Sequence, residues 1–362
     1  MIHVFTSAAP NYVGKVRALA ESVREHCPGV RMHWLVADDV RESLVSGLDR
    51  EPFDELLFAT ELDVGASPGW LFQQTLVELS TAIKPAAAKR LLELPGCEMV
   101  LYFDPDIVLF SPLDDLLAEL ACRSLVLTPH QLQPETEPGV LFHELDSLRY
   151  GVFNLGFIGL RSCPEVFRFL AWWRDRCLLA AGGDWREGVF TDQKWLNFAP
   201  VFFDQVGILK EPRFNVAPWN VSQRSVRGSF DEGFTVDGKP LGFYHFTGFD
   251  SGAHVAHLES VQGENRSLRM LVEWYRWRIS WLADDGPTPW KLGSYSDGTP
   301  IEDLHRRVYR LRPDLQVAFP DPYRVTDRES CYLDWFRRHA ARELPGLFSG
   351  SPGPEPMTWG ER

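Results

Sequence analysis

Two spacings of hydrophobic positions alternate along the first hundred residues. Residues 2–7, IHVFTS, form a short apolar run that reads as a buried strand. The next segment, NYVGKVRALAESVREHC, carries Val13, Val16, Leu19, Ala20 and Val23 at helical spacing. VRMHWLVADD reads as a second strand ending in two aspartates, and ELLFATEL as a third. WLFQQTLVELSTAIK and PAAAKRLLEL read as two helices divided at Pro85, a residue suited to a first helical position. EMVLYFD is a fourth strand. This alternation predicts an α/β fold with a mostly parallel, Rossmann-like sheet flanked by helices. Ligands of such sheets bind beyond the carboxyl ends of the strands.

The second half is more mixed. GVFNLGFIGL reads as a buried strand with glycines, and PEVFRFLAWWRDRC as an amphipathic helix. FTVDGKPLGFYHFTGF has the pattern of a hairpin turning at Asp237-Gly238. Residues 265–283 form a Trp-rich helical pattern, and 301–311 begin another. The tail from Pro345 is rich in Pro, Gly and Ser and is expected to be mobile. No internal repeat is visible.

Composition narrows the function. With 362 residues, 44% of them hydrophobic, the chain can build a large core. Its 37 basic and 50 acidic residues give a net charge of -13. That balance argues against non-specific binding to nucleic acid or an anionic membrane. An anionic ligand would then need a local positive centre, such as a metal ion. The six cysteines form no C-x-x-C pair, which favours a reduced cytoplasmic protein over a zinc site. The start, MIHVFTSAAP, lacks a signal-peptide pattern, and no segment has the length and apolarity of a transmembrane span.

Within MVLYFDPDIVLF, Asp104 and Asp106 interrupt an apolar run. Burying two carboxylates costs several kcal/mol per ion unless something offsets it. In an extended segment D-x-D presents both side chains on one face, and Pro105 between them removes a backbone donor. Such a pair suits a divalent cation whose other ligands come from a phosphorylated substrate. A bare D-x-D is more often a turn cap beside a solvated neighbour; the apolar flanks favour the metal. Three other stretches bear on this. His245, in GFYHFTGF, could complete an Asp-Asp-His set suited to Mn²⁺, or be a hydrogen-bonded core histidine. Asp192 and Gln193 lie in an aromatic segment, FTDQKWLNF, as site residues or as a helix cap and its neighbour. Asn154 interrupts the strand RYGVFNLGFIGL, so its amide needs partners, in a ligand or in the backbone.

Taken in order, PNYVGKVRALAESV, LYFDPDIVLF, FNLGFIGL, TDQKWLN and YHFTG resemble the retaining GT-A glycosyltransferases of glycosyltransferase family eight, which includes bacterial lipopolysaccharide galactosyltransferases and glycogenin. The likeness spans roughly residues 2–250. It implies the GT-A nucleotide-diphospho-sugar transferase fold and a metal, Mn²⁺ or Mg²⁺, held by Asp104, Asp106 and His245. It implies Asn11 and Tyr12 beside the nucleotide base, with Thr6 and Ala8 lining that pocket, and Asp104 and Gly248 at the donor. It implies Asn154 on the donor sugar, with Asp192 and Gln193 under its ring.

Two departures stand out. Pro105 replaces the family's usual alanine, and the histidine motif reads HFTGFDSG where the family continues to a Lys-Pro-Trp whose lysine holds the leaving diphosphate. Lys84, just before the metal strand, is the first candidate for that cation, its alternative being a solvated helix end. Lys291 is a weaker candidate. Trp219, in FNVAPWN, is either ligand-facing or core.

The expected activity is metal-dependent transfer of a sugar from a nucleotide diphosphate donor, UDP-linked, to an acceptor hydroxyl with retention. Rivals are an inverting enzyme on the same fold with Asp192 as base, a nucleotidyltransferase, which the glycine-poor TSAAPNYVGK disfavours, and a catalytically silent nucleotide-sugar-binding module. Expected divisions are a catalytic domain over 1–255, a helical C-terminal extension over 256–344 and a flexible tail over 345–362. The extension would serve acceptor binding or assembly of a homo-oligomer. The acceptor is a carbohydrate, a lipid-linked glycan or a protein, and the location cytoplasmic, with peripheral attachment to the inner membrane open.

Overall fold

The computed structural model describes residues 1–40, 44, 51–65, 67–137, 140–180, 182, 188–262, 265–284, 289–326 and 330–348. Its central sheet uses β1 (Ile2–Ala8), β2 (Arg31–Val36), β3 (Glu55–Phe58), β4 (Met99–Phe103), β6 (Leu125–Pro129), β7 (Phe153–Arg161) and β8 (Val206–Ile208). They lie in the order β3-β2-β1-β4-β7-β6-β8. All pairings are parallel except those of β7, which runs against both β4 and β6. The sheet is thus mostly parallel with helices on both faces. Successive strand residues point to opposite faces: Phe5, Leu35 and Tyr102 enter one core, Val4, Trp34 and Leu101 the other.

The chain leaves β1 through a 3-10 turn, Pro10–Tyr12, into the helix Val13–His26. The pattern over residues 70–94 contains one break more than its periodicity suggested. Helices run over Pro68–Gln73, Leu76–Ala82 and Lys84–Leu92. The extra break falls at Thr75, whose side chain accepts from Glu78 N while the Glu78 carboxylate accepts from Thr75 N. This reciprocal cap starts a helix in mid-pattern.

Asp237 and Gly238 turn β10 (Gly233–Val236) into β11 (Lys239–Pro240), both with positive φ, +51° and +85°. That pair of conformations matches the two-residue hairpin turn. The rest of the predicted hairpin goes elsewhere: β12 (Phe243–His245) pairs antiparallel with β5 (Ile107–Leu109).

The C-terminal helices pack on the sheet domain. Arg266–Leu282 crosses Val13–His26 so closely that a Cβ on Gly14 would lie 2.4 Å from the Ile279 carbonyl oxygen. Arg306, buried in the helix Asp303–Leu311, donates to the carbonyls of Phe72, Gln74 and Leu292 at 2.8, 2.6 and 2.7 Å. Of the tail, Pro345–Phe348 forms one helical turn, and 349–362 lie outside the described residues. No helix among the described residues is long and apolar enough to cross a membrane.

Candidate active site

The carboxyl ends of β4 and β6 and the amino end of the antiparallel β7 meet at one edge of the sheet, and the site is built there. β4 stops at Phe103. Asp104-Pro105-Asp106 is therefore not extended, as the strand reading assumed, but a tight turn closed by Ile107 N donating to Asp104 O at 3.1 Å. Pro105 occupies the position of such a turn that its ring preorganises. The turn, rather than strand alternation, brings the two carboxylates together.

His245 reaches them through strand pairing. The register His245↔Ile107 places it beside the turn, and Phe246 N donates to Asp106 O at 2.8 Å. His245 Nε2 lies 3.1 Å from Asp106 Oδ1 and 3.8 Å from Asp104 Oδ2. One ligand atom from each of the three residues falls within 4.8 Å of the others. Burial works against the charge of His245, but Asp106 and Asp104 outweigh it and raise its pKa. Asp106 is held low in turn: burial opposes its ionisation, and His245 is the largest of the influences favouring it.

Around this set lies a network that periodicity did not reveal. The pairing of β6 with β7 jumps from Leu127↔Ile158 to Thr128↔Asn154, which strips Leu155 and Gly156 of ladder partners. Buried backbone groups need replacements. Gln193 Oε1 accepts from Leu155 N at 2.9 Å, Asn154 Oδ1 from Gly156 N at 3.0 Å, and Gly156 O from Asp104 N at 2.8 Å. Asn215, at φ +52°, donates to Asn154 Oδ1 and Thr128 Oγ1 at 2.9 and 2.8 Å. Its Oδ1 lies 3.3 Å from His245 Nδ1. With Nδ1–H donating there, the Nε2 lone pair faces the carboxylates, a common way to orient a metal-binding imidazole. Trp219 sits edge-on to both His245 and His130, with ring centroids 5.3 Å apart in each case.

Behind the carboxylates, Lys84 Nζ lies 3.3 Å from Asp104 Oδ1, 3.2 Å from Asp192 Oδ2 and 4.2 Å from the Tyr102 ring centroid. Tyr102 donates its hydroxyl to Asp104 Oδ1. Lys84 and Asp192 are 3% and 1% exposed, so Lys84 is not a solvated helix end, and the 3-10 helix Lys194–Phe198 after Asp192 has no side-chain cap. Burial opposes the Lys84 charge, yet Asp104 and Asp192 raise its pKa, while burial pushes the Asp192 carboxyl up. Lys291 is elsewhere: its Nζ donates to Asp39 O at 2.8 Å, at the end of β2.

A cavity of about 500 Å³ opens in front of the site. Lys84, Asp104, Asn154, Asp192, Gln193, Trp219, His245 and Gly248 line it, together with His143, Tyr150 and His257. Gln193 is anchored by donating to Tyr150 O at 3.0 Å. Thr6, Ala8, Asn11 and Tyr12 stand at the end of β1 and in the turn after it, outside that lining. Thr6 Oγ1 is buried with no partner among the described residues. Asn215, His130 and Tyr102 are site residues that the sequence analysis did not single out. The signal for Asn215 is in the sequence, a polar residue between Phe214 and Val216 in the same FNVAPWN segment as Trp219.

No family model matches the chain. Two uncharacterized proteins of Bacillus subtilis (strain 168) are similar to it. YfnD is 27% identical over 253 residues, covering 68% of this chain and 78% of that protein. YfnF is 30% identical over 159 residues, covering 43% and 51%. Among solved structures, the galactosyltransferase LgtC with donor and acceptor sugar analogs aligns over 80% of this chain and 99% of its own, at 19% identity and a TM-score of 0.46. The glycosyltransferase GlyE of Streptococcus pneumoniae TIGR4 aligns over 81% and 66%, at 15% identity and a TM-score of 0.43. Mouse xyloside xylosyltransferase 1 aligns over 68% and 98%, at 12% identity and a TM-score of 0.41.

Proposed function

We propose that the protein is a metal-dependent glycosyltransferase that moves a sugar from a UDP-linked donor to an acceptor hydroxyl with retention. The observation that carries this reading is the convergence of Asp104, Asp106 and His245 Nε2 at the edge of a cavity of about 500 Å³, backed by a buried lysine. The donor set fits a divalent cation: two carboxylates and one imidazole, with Asn215 orienting the ring so that its free nitrogen faces the carboxylates. Mn²⁺ or Mg²⁺ bound there would supply Lewis acidity to the donor's diphosphate.

The chain's own residues do the rest. Lys84 places a fixed, desolvated positive charge next to Asp104, where negative charge grows on the leaving group. Asn154 and Gln193 hold the cavity floor, their amides oriented by the backbone bonds described above. Asn11 and Tyr12 flank the nucleotide. The transition state has oxocarbenium character, as in other glycosyl transfers. On a same-face route the departing phosphate oxygen takes the acceptor proton. The inverting alternative needs Asp192 as a base in reach of the acceptor. Its 1% exposure and its ion pair with Lys84 count against that role. Residues 1–255 then form the catalytic unit and 256–344 the acceptor or assembly surface.

A thermal-shift panel of nucleotide sugars with and without Mn²⁺ identifies the donor. Transfer is expected to vanish with a chelator, to return with Mn²⁺, and to fall about a hundredfold or more in Asp104→Asn and Asp106→Asn. Full metal-dependent turnover in those variants would sink the assignment. An inverted product anomer would select the inverting route, and metal-dependent UDP binding without hydrolysis or transfer would select the silent module.

A further inference from the structure

A second cation lies on the other side of the metal carboxylates. Lys15 is in the first turn of the helix Val13–His26, its side chain only 9% exposed. The helix is in register with β5: Leu109 N donates to Ser22 Oγ at 3.1 Å, and Ala18 packs in the same cluster as Val108. Lys15, Ala18 and Ser22 share one helix face. From Ser22 back to Lys15 is ~10 Å along the helix, and from Leu109 back to Asp106 is ~10 Å along the strand. Both offsets run in the same direction, so Lys15 lies towards the end of β5 that follows the Asp104–Asp106 turn. Their electrostatics agree: burial opposes ionisation of Asp106, His245 favours it most, and Lys15 adds to that.

The partner of Lys15 is an exposed one. Its Nζ donates to Asp250 Oδ2 at 2.6 Å, and Asp250, on the loop after His245, is 58% exposed. The Tyr12 ring lies 4.6 Å from the same ammonium. The Tyr275 hydroxyl, from the helix Arg266–Leu282, is buried with no hydrogen-bond partner among the described residues. Its ring stacks on Phe246 with centroids 3.8 Å apart. Burial raises its pKa most, followed by the charges of Asp106 and Asp250. The buried ammonium of Lys15 is thus held by a solvated carboxylate that another anion could displace.

We propose that the Lys15–Asp250 ion pair is a latch for the donor's diphosphate: Asp250 occupies Lys15 while the site is empty, and a phosphate oxygen displaces it when the donor binds. This rests on the nucleotide-sugar reading above and adds to it a specific cation and a competing carboxylate. Two negative groups would then exchange on one lysine, so a diphosphate must outcompete Asp250 in order to bind.

The test is calorimetric titration of the full-length protein with UDP, inorganic pyrophosphate and uridine at saturating Mn²⁺. Lys15→Met is expected to weaken UDP and pyrophosphate about tenfold or more, the scale of one charge-assisted hydrogen bond, and to leave uridine unchanged. Asp250→Asn is expected to tighten both phosphates several-fold. Its side chain is exposed, so it carries the test if Lys15→Met does not fold. If the wild type binds UDP with Mn²⁺ and Asp250→Asn binds it equally or more weakly, the latch is wrong and the transferase reading stands. If the wild type binds neither UDP nor pyrophosphate, both fail together.

Discussion

Gly156 shows how little room surrounds the candidate metal ligand His245. A Cβ built there would lie 2.4 Å from His245 Cε1, 2.6 Å from its Nδ1 and 2.7 Å from Asn154 Oδ1. The contact is with the ring that must present Nε2 to the carboxylates, so added volume turns the imidazole. Gly156→Ala is expected to cost about 1–3 kcal/mol of stability through overpacking. It should also weaken Mn²⁺ binding about 10–100-fold, the range for disturbing a ligand's supporting shell. Calorimetric titration with Mn²⁺ beside urea denaturation separates the two effects; unchanged Mn²⁺ affinity would mean that His245 is not a ligand. At this scale the sequence was informative where chemistry was unusual. Asp104, Asp106 and His245 were legible as polar interruptions of apolar runs. Gly156 was not, because a glycine in a strand has several ordinary explanations and only the neighbouring ring distinguishes them.

Among the elements, the helix Lys84–Leu92 carries a charge into the core. Lys84 begins it and meets Asp104 and Asp192, which arrive from β4 and from a loop more than a hundred residues away in sequence. Removing one member of a buried pair leaves the other uncompensated. Lys84→Met is therefore expected to destabilise the fold by about 3–5 kcal/mol, and adding Asp192→Asn to restore much of that loss. Urea midpoints of the two single variants and the double variant test this; additive losses would mean that the charges do not interact. The strands were readable because their apolar runs are short and bounded. The helix break at Thr75 was missed because a capping box leaves hydrophobic periodicity intact on either side. The Asp-Pro-Asp turn was missed because an apolar sequence continuing into β5 looks like one strand until β12 is seen to claim its second half.

The whole molecule binds the C-terminal helices to the sheet. Arg306 ties three carbonyls, and Trp290 Nε1 donates to Ala37 O at 2.9 Å at the end of β2. A pH dependence belongs to this scale. Burial pushes His33, His130, His254 and His257 down to about 4. An unfolded histidine takes up its proton near pH 6.5. Below that value the unfolded chain binds more protons than the native one, so stability is complete above pH 6.5 and is lost as pH falls towards 4. His245, whose pKa Asp106 and Asp104 raise, acts with the opposite sign but is one group against four, and Asp38 and Asp192, whose carboxyls burial raises, also oppose them nearer the carboxylate range. The melting temperature is expected to drop between pH 7 and pH 5; a flat profile there would show that the four buried histidines do not outweigh His245. By itself the sequence determined the alternation of strands and helices, the edge of the sheet where chemistry gathers, and the residues able to hold a metal, because those depend on local periodicity and residue chemistry. Only the tertiary structure decided that the aspartates converge through a turn, that Asn215 meets His245, that Lys84 pairs with Asp104 and Asp192, and that Lys15 pairs with Asp250. Those relations are made by strand register and helix packing between distant segments, and no local spacing encodes them.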